Sequence, residues 1–185
     1  MIVIFSGPSG VGKNTVIKEL MKINSNYMLM PTFTTREPRK GEREGFPYYF
    51  VDKAKFEEMI TAGEFLEYEV VHEVNYYGTS KKIVEQIAYS DMVFMKDIDV
   101  KGAMNLVREL EGKIQVMTIF LTIGKDELFR RLTMRGEKDI ELRMKRYDLE
   151  TSYASKYNHI IENHSLKATA KLIAHIVEKN KKQLY

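Results

Sequence analysis

Two hydrophobic periods alternate along the chain. Ile2–Phe5 is a short run of consecutive apolar residues, several of them β-branched, as in a strand covered on both faces, and a glycine-rich turn follows at once. Lys13–Lys22 then carries Val16, Ile17, Leu20 and Met21 at helical spacing. The exchange repeats. Asp52 is placed to cap a helix through Ala62, with Phe56, Met59 and Ile60 on one side, and Phe65–Val71 reads as a strand. Ser80 is placed to cap a helix through Tyr89, Met92–Met95 reads as a buried strand, and Val100–Leu110 as the next helix. Val116–Leu121 is the most continuous strand signal, followed by a helix from Asp126 to about Thr133 and a long charged helix from Ile140 to about Lys156. His159–Glu162 is a short strand, and Ser165 caps a final helix with a basic end, Lys179–Lys182. This order predicts an α/β fold with a largely parallel sheet. Thr34–Tyr49 stands apart. Pro38, Pro47, Gly41, Gly45 and the arginines Arg36, Arg39 and Arg43 exclude a helix there and suggest a substrate-facing lobe.

Composition narrows the function classes. A length of 185 residues suits one α/β domain with a small inserted lobe. The absence of cysteine excludes disulfides, thiolate metal sites and a cysteine nucleophile. Lys and Arg number 29 against 26 Asp and Glu, a net charge of +3 that gives no reason to expect a nucleic-acid partner. The run Ile2–Phe5 is too short for a signal peptide or a membrane span, so a soluble cytoplasmic protein is expected, monomer or homodimer. His72, His159, His164 and His175 show no metal-site spacing, and the methionines read as core filler.

The turn after the first strand is Gly7-Pro8-Ser9-Gly10-Val11-Gly12-Lys13-Asn14-Thr15. Its glycines let the backbone wrap a phosphate with N–H groups inward, the following helix adds roughly half a positive charge, and Lys13 adds a mobile full one. This is a Walker A loop in the strand–loop–helix context it requires. The residue after the lysine is Asn14 where a Ser or Thr hydroxyl usually ligates Mg²⁺; an amide oxygen can bind that hard ion or one of its waters. Asn14 is therefore a metal candidate.

What the phosphate is transferred to must be read elsewhere. Thr32-Phe33-Thr34-Thr35-Arg36-Glu37-Pro38-Arg39-Lys40-Gly41-Glu42 offers two guanidiniums for one dianion, and Tyr48 lies just beyond. Asn75-Tyr76-Tyr77-Gly78-Thr79 offers phenolic and hydroxyl donors in a tight turn. Glu67, on the strand leading into it, can accept from guanine N1–H and N2–H₂, donors that adenine lacks; such a site rejects the wrong base by about 10⁴-fold. Each element has a plainer reading. Arg131 and Arg135, four apart, are by themselves a solvated helix face; Asp97 and Asp99 are a strand end and a helix cap.

Taken together, Gly7–Lys13, Thr34-Thr35-Arg36-Glu37-Pro38-Arg39-Lys40-Gly41-Glu42, Asn75–Thr79, Asp97-Ile98-Asp99-Val100-Lys101-Gly102 and Met134-Arg135-Gly136 resemble the guanylate kinase family, in family order and over about Ile2 to Ile176. The resemblance implies a P-loop NTPase-type parallel sheet flanked by helices: a core of about 1–31 and 80–185, a GMP-binding lobe of about 32–79 and a short lid of about 134–146. It implies ATP and Mg²⁺ as donor and cofactor, and GMP, with dGMP as a further candidate, as acceptor. Arg36, Arg39, Tyr48 and Tyr77 would hold the GMP phosphate, with Glu42 and Gly78 in the same set, and Thr32, Glu67 and Thr79 would read the guanine. Of Asp97 and Asp99, one would organise Mg²⁺ and the other would contact the acceptor. Arg131, Arg135 and Arg143 would close over the polyphosphate, and Asn163 would lie near the ATP base.

The chain departs from the family in places. Glu73-Val74 looks like a small insertion, which leaves Glu69 as a rival to the preferred Glu67. The lid is short, which leaves Arg146 as a rival to the preferred Arg143. The competing functions are a kinase of the same fold with another acceptor, which Glu67 argues against, and a binding domain that has lost catalysis, which the intact Gly12-Lys13 cradle argues against.

Overall fold

A computed structural model describes residues 1–39, 41–45, 47–71, 74–137 and 139–181, so Lys40, His72, Glu73, Lys138 and Lys182 of the sequence reading lie outside the described residues. Strand β1 (Ile2–Ser6) is wholly buried. It lies mid-sheet between β8 (Val93–Asp97) and β9 (Val116–Thr122), with β2 (Tyr27–Leu29) and β10 (His159–Glu162) at the edges, all parallel. Its consecutive apolar residues divide by alternation. Val3 and Phe5 join Val16, Ile17 and Leu20 of α1 (Lys13–Ile23) and Ile173 and Val177 of α7 (Leu166–Lys181). Ile2 and Ile4 join Val84 and Ile87 of α3 (Lys81–Ala88) and Ala103, Leu106 and Leu110 of α4 (Val100–Leu110) on the other face. A strand covered on both faces is therefore apolar throughout, and this accounts for the sequence signal.

The second sheet has the order β4 (Arg43–Glu44), β5 (Pro47–Phe50), β3 (Thr32–Thr34), β7 (Asn75–Ser80), β6 (Phe65–Val71). Asn75–Thr79 is thus a strand, antiparallel to β6 and β3, and not the tight turn expected from its glycine. Alternation along β7 puts Tyr77 and Thr79 on one face and Gly78 on the other. A Cβ on Gly78 would lie 2.8 Å from the Phe65 ring and 2.9 Å from Phe56, so the lack of a side chain here serves aromatic packing on the face away from Tyr77 and Thr79. Phe56 of α2 (Lys53–Thr61) stacks on Phe65 at 4.4 Å between centroids. Asp52 caps α2 as expected, accepting from the Lys55 N–H. Ser80 occupies the cap position of α3 but makes no side-chain capping bond: it is buried and still paired with Phe65 as the end of β7.

The remaining helices are α5 (Lys125–Met134) and α6 (Ile140–Ser152). The long helix read to Lys156 stops at Ser152 and a 3₁₀ turn, Ala154–Lys156, follows; Tyr153 and Ala154 turn inward to pack on the second core cluster, so tertiary packing overrides local helical pattern.

Gly78→Ala is expected to destabilise the chain by about 1–3 kcal/mol through overpacking. Thermal unfolding should show a fall of roughly 2–4 °C per kcal/mol for a domain of this size; an unchanged midpoint would refute the close approach to Phe65 and Phe56.

Candidate active site

The glycine loop turns sharply as it leaves β1. Gly7 has φ 138°, and a Cβ there would lie 2.0 Å from the Leu121 carbonyl oxygen, so only glycine lets the loop pass over β9. Val11 N–H bonds the Pro8 carbonyl at 3.1 Å. Lys13 opens α1 and folds back, its Nζ donating to the Gly7 carbonyl at 2.7 Å and standing 3.9 Å from Asp97. Glu150, beyond the sequence reading, and Arg143, within it, brace this loop. Glu150 of α6, buried, accepts from the Ser9 N–H at 3.3 Å, and burial raises its pKa. Arg143 donates to Ser9 Oγ and pairs with Glu137 at 2.9 Å, while its rival Arg146 pairs with Glu150 at 3.2 Å.

Asn14 and Thr15 face different spaces. Asn14 lines a cleft with Asp97, whereas Thr15 lines a smaller cavity of about 210 Å³ with Gly12, Arg131, Arg135, Asn163 and His164. In that cavity Asn163 is buried. Its Nδ2 donates to the Val11 carbonyl at 2.8 Å, and its Oδ1 has no partner among the described residues. Arg131 donates to the Asn163 carbonyl at 2.9 Å and is held by Glu127, whose carboxyl hydrogen bonds from Arg130 and Arg131 bring down to about 2.

The cleft on the Asn14 side has two adjoining parts of about 440 and 470 Å³, which share Asn14, Thr32, Tyr48, Tyr77, Lys96 and Asp97. In the outer part Arg36 meets Glu42 through its Nη2 at 2.9 Å to both carboxylate oxygens, donates Nη1 to the Glu37 carbonyl at 2.6 Å, and lies 5.2 Å from the Tyr48 ring centroid. Arg39 lines the same space, exposed, and its backbone N–H donates to Glu42 at 2.8 Å. Burial raises the Tyr48 pKa, and its ring meets Tyr77 edge-on at 6.1 Å.

The inner part is where Thr32, Glu67, Glu69, Lys96 and Asp99 converge. Thr79 Oγ1 donates to Glu67 Oε1, and Lys96 Nζ donates to Thr32 Oγ1 at 3.1 Å while standing 3.6 Å from Glu67. Burial lowers the Lys96 pKa against the upward pull of Glu67, Asp97 and Glu69. Lys96 escaped the sequence reading because a single polar residue inside a buried strand carries no periodic signal. Asp99 caps α4, accepting from the Lys101 and Gly102 N–H groups. Removal from water at the cavity wall, then the Asp99 carboxyl, push Glu69 up to about 7; burial acts to raise Asp99, but hydrogen bonds from Glu69, Gly102 and Lys101 outweigh it and hold Asp99 low. Both Glu67 and its rival Glu69 reach this wall.

Among the described residues no three His, Asp or Glu side chains gather as a metal cage. Asn14 and Asp97, oxygen donors in one cleft beside the glycine loop, fit an ion such as Mg²⁺ that keeps most of its waters and is shared with substrate phosphates. Among the described residues no helix is long and apolar enough to cross a membrane.

Known proteins match this arrangement over its whole length. The guanylate kinase family model matches residues 1–180. The chain is 36% identical to a guanylate kinase of Rickettsia felis over 96% of this chain and 92% of that one. It is 38% identical to a guanylate kinase of Clostridioides difficile over 100% and 91% of the two chains. The crystal structure of guanylate kinase from Anaplasma phagocytophilum superposes with a TM-score of 0.73 at 29% identity, covering 97% of this chain and 85% of that one. The chain belongs to the guanylate kinase family, and its reaction is the ATP-dependent phosphorylation of GMP.

Glu69 generates a prediction with a defined sign. Its folded pKa, about 7, exceeds the ordinary 4.5, so the folded chain holds that proton more tightly than the unfolded one, and stability falls as pH rises between those values. Asp99, shifted downward, titrates below this window. Glu69→Gln has no proton to lose, so its unfolding temperature should gain on the unaltered protein between about pH 5 and pH 8. An equal difference at both pH values would disprove the tighter hold of the folded chain on the Glu69 proton.

Proposed function

We propose that the γ-phosphoryl group of ATP passes in line to the 5′-phosphate of GMP in the cleft between the glycine loop and the second sheet. The observation that carries this reading is one continuous space in which Asp97, 3.9 Å from Lys13 of the glycine loop, and Asn14 adjoin the wall of Thr32, Tyr48, Glu67 and Tyr77. Phosphoryl transfer requires positioning and positive charge more than covalent catalysis. The loop Gly7, Pro8, Ser9, Gly10, Val11, Gly12, Lys13, Asn14 and Thr15 cradles the donor phosphates. Asn163 lies on the donor side with Arg131 and Arg135, and Arg143 closes over the polyphosphate from the lid. Arg36 and Arg39 grip the acceptor phosphate with Tyr48 and Tyr77, and Glu42 holds the Arg36 guanidinium in place until that phosphate arrives. Thr32, Glu67 and Thr79 meet the guanine, and Asp99 stands on the acceptor side.

Asn14 and Asp97 would hold Mg²⁺, which supplies charge neutralisation at the donor phosphates when bound. No protein nucleophile is needed. An acceptor phosphate oxygen, already ionised, bonds to the γ-phosphorus as the bond to the ADP oxygen breaks, so no general base is required. Excluding water from ATP calls for closure, which we assign to the lobe of about 32–79 and the lid of about 134–146. The setting is the cytoplasm, with dGMP as a second acceptor.

ADP formation from Mg-ATP with GMP, AMP, CMP and UMP offered separately tests the reading: turnover should be confined to GMP, and equal use of AMP would refute the base assignment. Lys13→Ala should lower kcat by about 10²–10³-fold with the circular dichroism spectrum unchanged, as expected for loss of a preorganised donor to transition-state charge. Arg39→Ala should raise KM for GMP by about 10- to 100-fold and leave ATP binding intact, the measure of one lost charge-assisted contact; equal loss of both ligands would mean that Arg39 does not belong to the acceptor.

A further inference from the structure

Among the described residues Lys96 is the only buried lysine or arginine. It sits in β8 one residue before Asp97, on the wall that β8 presents to the second sheet, and lines both parts of the cleft. Taking an ammonium out of water costs several kcal/mol, and an ion pair offsets this only when its geometry is good and the remaining donors are satisfied. Here the geometry is not good. Lys96 Nζ stands 3.6 Å from Glu67 Oε1, beyond hydrogen-bond length, and its one bond, at 3.1 Å, goes to Thr32 Oγ1. An ammonium carries three donors. Lys96 therefore faces the cavity with donor capacity in hand, beside a carboxylate that Thr79 fixes from the other side.

We propose that Lys96 reads the 6-oxo group of the acceptor base, donating to O6 while Glu67 accepts from N1–H next to it. The proposal rests on the assignment of Thr32, Glu67 and Thr79 to the guanine. A donor and an acceptor side by side, too far apart to satisfy one another, complement a carbonyl and an adjacent N–H on one ring edge. Adenine inverts both groups: an amino group would face the ammonium and a bare ring nitrogen would face the carboxylate. Two inverted contacts in a buried site account for strong rejection, whereas a carboxylate alone supplies one.

The test compares Lys96→Met with the unaltered enzyme on GMP, 6-thio-GMP and IMP. The thio nucleotide keeps N1–H and the 2-amino group but replaces O6 by sulfur, a poor acceptor; IMP keeps O6 and lacks the 2-amino group. The unaltered enzyme should prefer GMP to 6-thio-GMP by about 10- to 100-fold in kcat/KM, the worth of one hydrogen bond to a charged group. Lys96→Met should lose about that factor on GMP and bring the two nucleotides close to parity, with its preference for GMP over IMP unchanged. Equal losses on GMP and 6-thio-GMP, with the preference kept, would overturn the proposal and leave Lys96 as a partner of Glu67 only. Glu67→Gln separates this from the reading beneath it. If that variant discriminates GMP from IMP as the unaltered enzyme does, the wall is not the base site, whatever Lys96→Met shows. Should Lys96→Met fail to fold, the ¹⁵N resonance of the Lys96 ammonium in the unaltered protein decides. It should move on binding GMP and much less with 6-thio-GMP; equal movement with both overturns the proposal.

Discussion

The passage of the glycine loop over β9 is the constraint on which the site depends. Because Gly7 lies against the Leu121 carbonyl with no room for a side chain, the chain leaves β1 and enters α1 in a single tight arc. That arc aims the first N–H groups of α1 into the space above the sheet and delivers Lys13 beside Asp97 at the end of the neighbouring strand. β1 can hold this position because it is mid-sheet and apolar on both faces, packed between α1 and α7 on one side and α3 and α4 on the other. Glu150 and Asn163 then fix the loop from elements more than a hundred residues away, one through the Ser9 N–H and the other through the Val11 carbonyl. The donor cradle is therefore a product of the whole core and not of the loop sequence alone.

The acceptor side is built by a different means. A small sheet with its own apolar cluster, Phe56, Met59 and Phe65, carries the residues proposed for the base on its strands and the two arginines proposed for the phosphate on the loop after β3, and its polar contact with the core runs through Lys96, Thr32 and Glu67. Phe33, Tyr49 and Leu66 of the second sheet also pack against the core cluster formed with α3 and α4, so the two sheets share an apolar seam beside these polar contacts.

The two halves were unequally legible in the sequence. The core strands and helices, apart from the short edge strand β2, could be read with boundaries close to those observed, since β1, α4 and β9 bury regular patterns. Of the second sheet only β6 could be read, with the bounds observed. β3, β4 and β5 are too short to show a period, and Gly78 made β7 look like a turn when its real reason is the Phe65 ring. The site residues that motifs carry, Lys13, Arg36, Glu67, Asp97 and Asn163, were all visible and all line or brace the two cavities. Lys96, Glu69 and Glu150 were not, or only as a rival, because each matters through partners distant in sequence: Thr32, Asp99 and Ser9.

The charges in the cleft explain why so polar a site is compatible with a stable fold. Lys13 lies by Asp97, Arg36 by Glu42, Arg131 by Glu127, Arg143 by Glu137 and Lys96 by Glu67. Lys13, Arg36, Arg131, Arg143 and Lys96 thus each have a carboxylate companion in the free chain. Self-repulsion among the clustered cations is relieved, and no buried charge is left without a counterion. Nucleotide binding then becomes an exchange in which phosphate oxygens take over guanidinium forks from carboxylates. The gain per contact is smaller than for a naked cation, but the cations arrive already oriented and the ordering cost has been met in folding. On the assignments proposed above, a carboxylate released from its arginine would be repelled by the incoming phosphate, so occupancy of the acceptor site would favour movement of the segment bearing Glu42, and occupancy of the donor site movement of the segment bearing Glu137. The charge pairs that offset one another in the free chain would then couple closing to the arrival of both substrates.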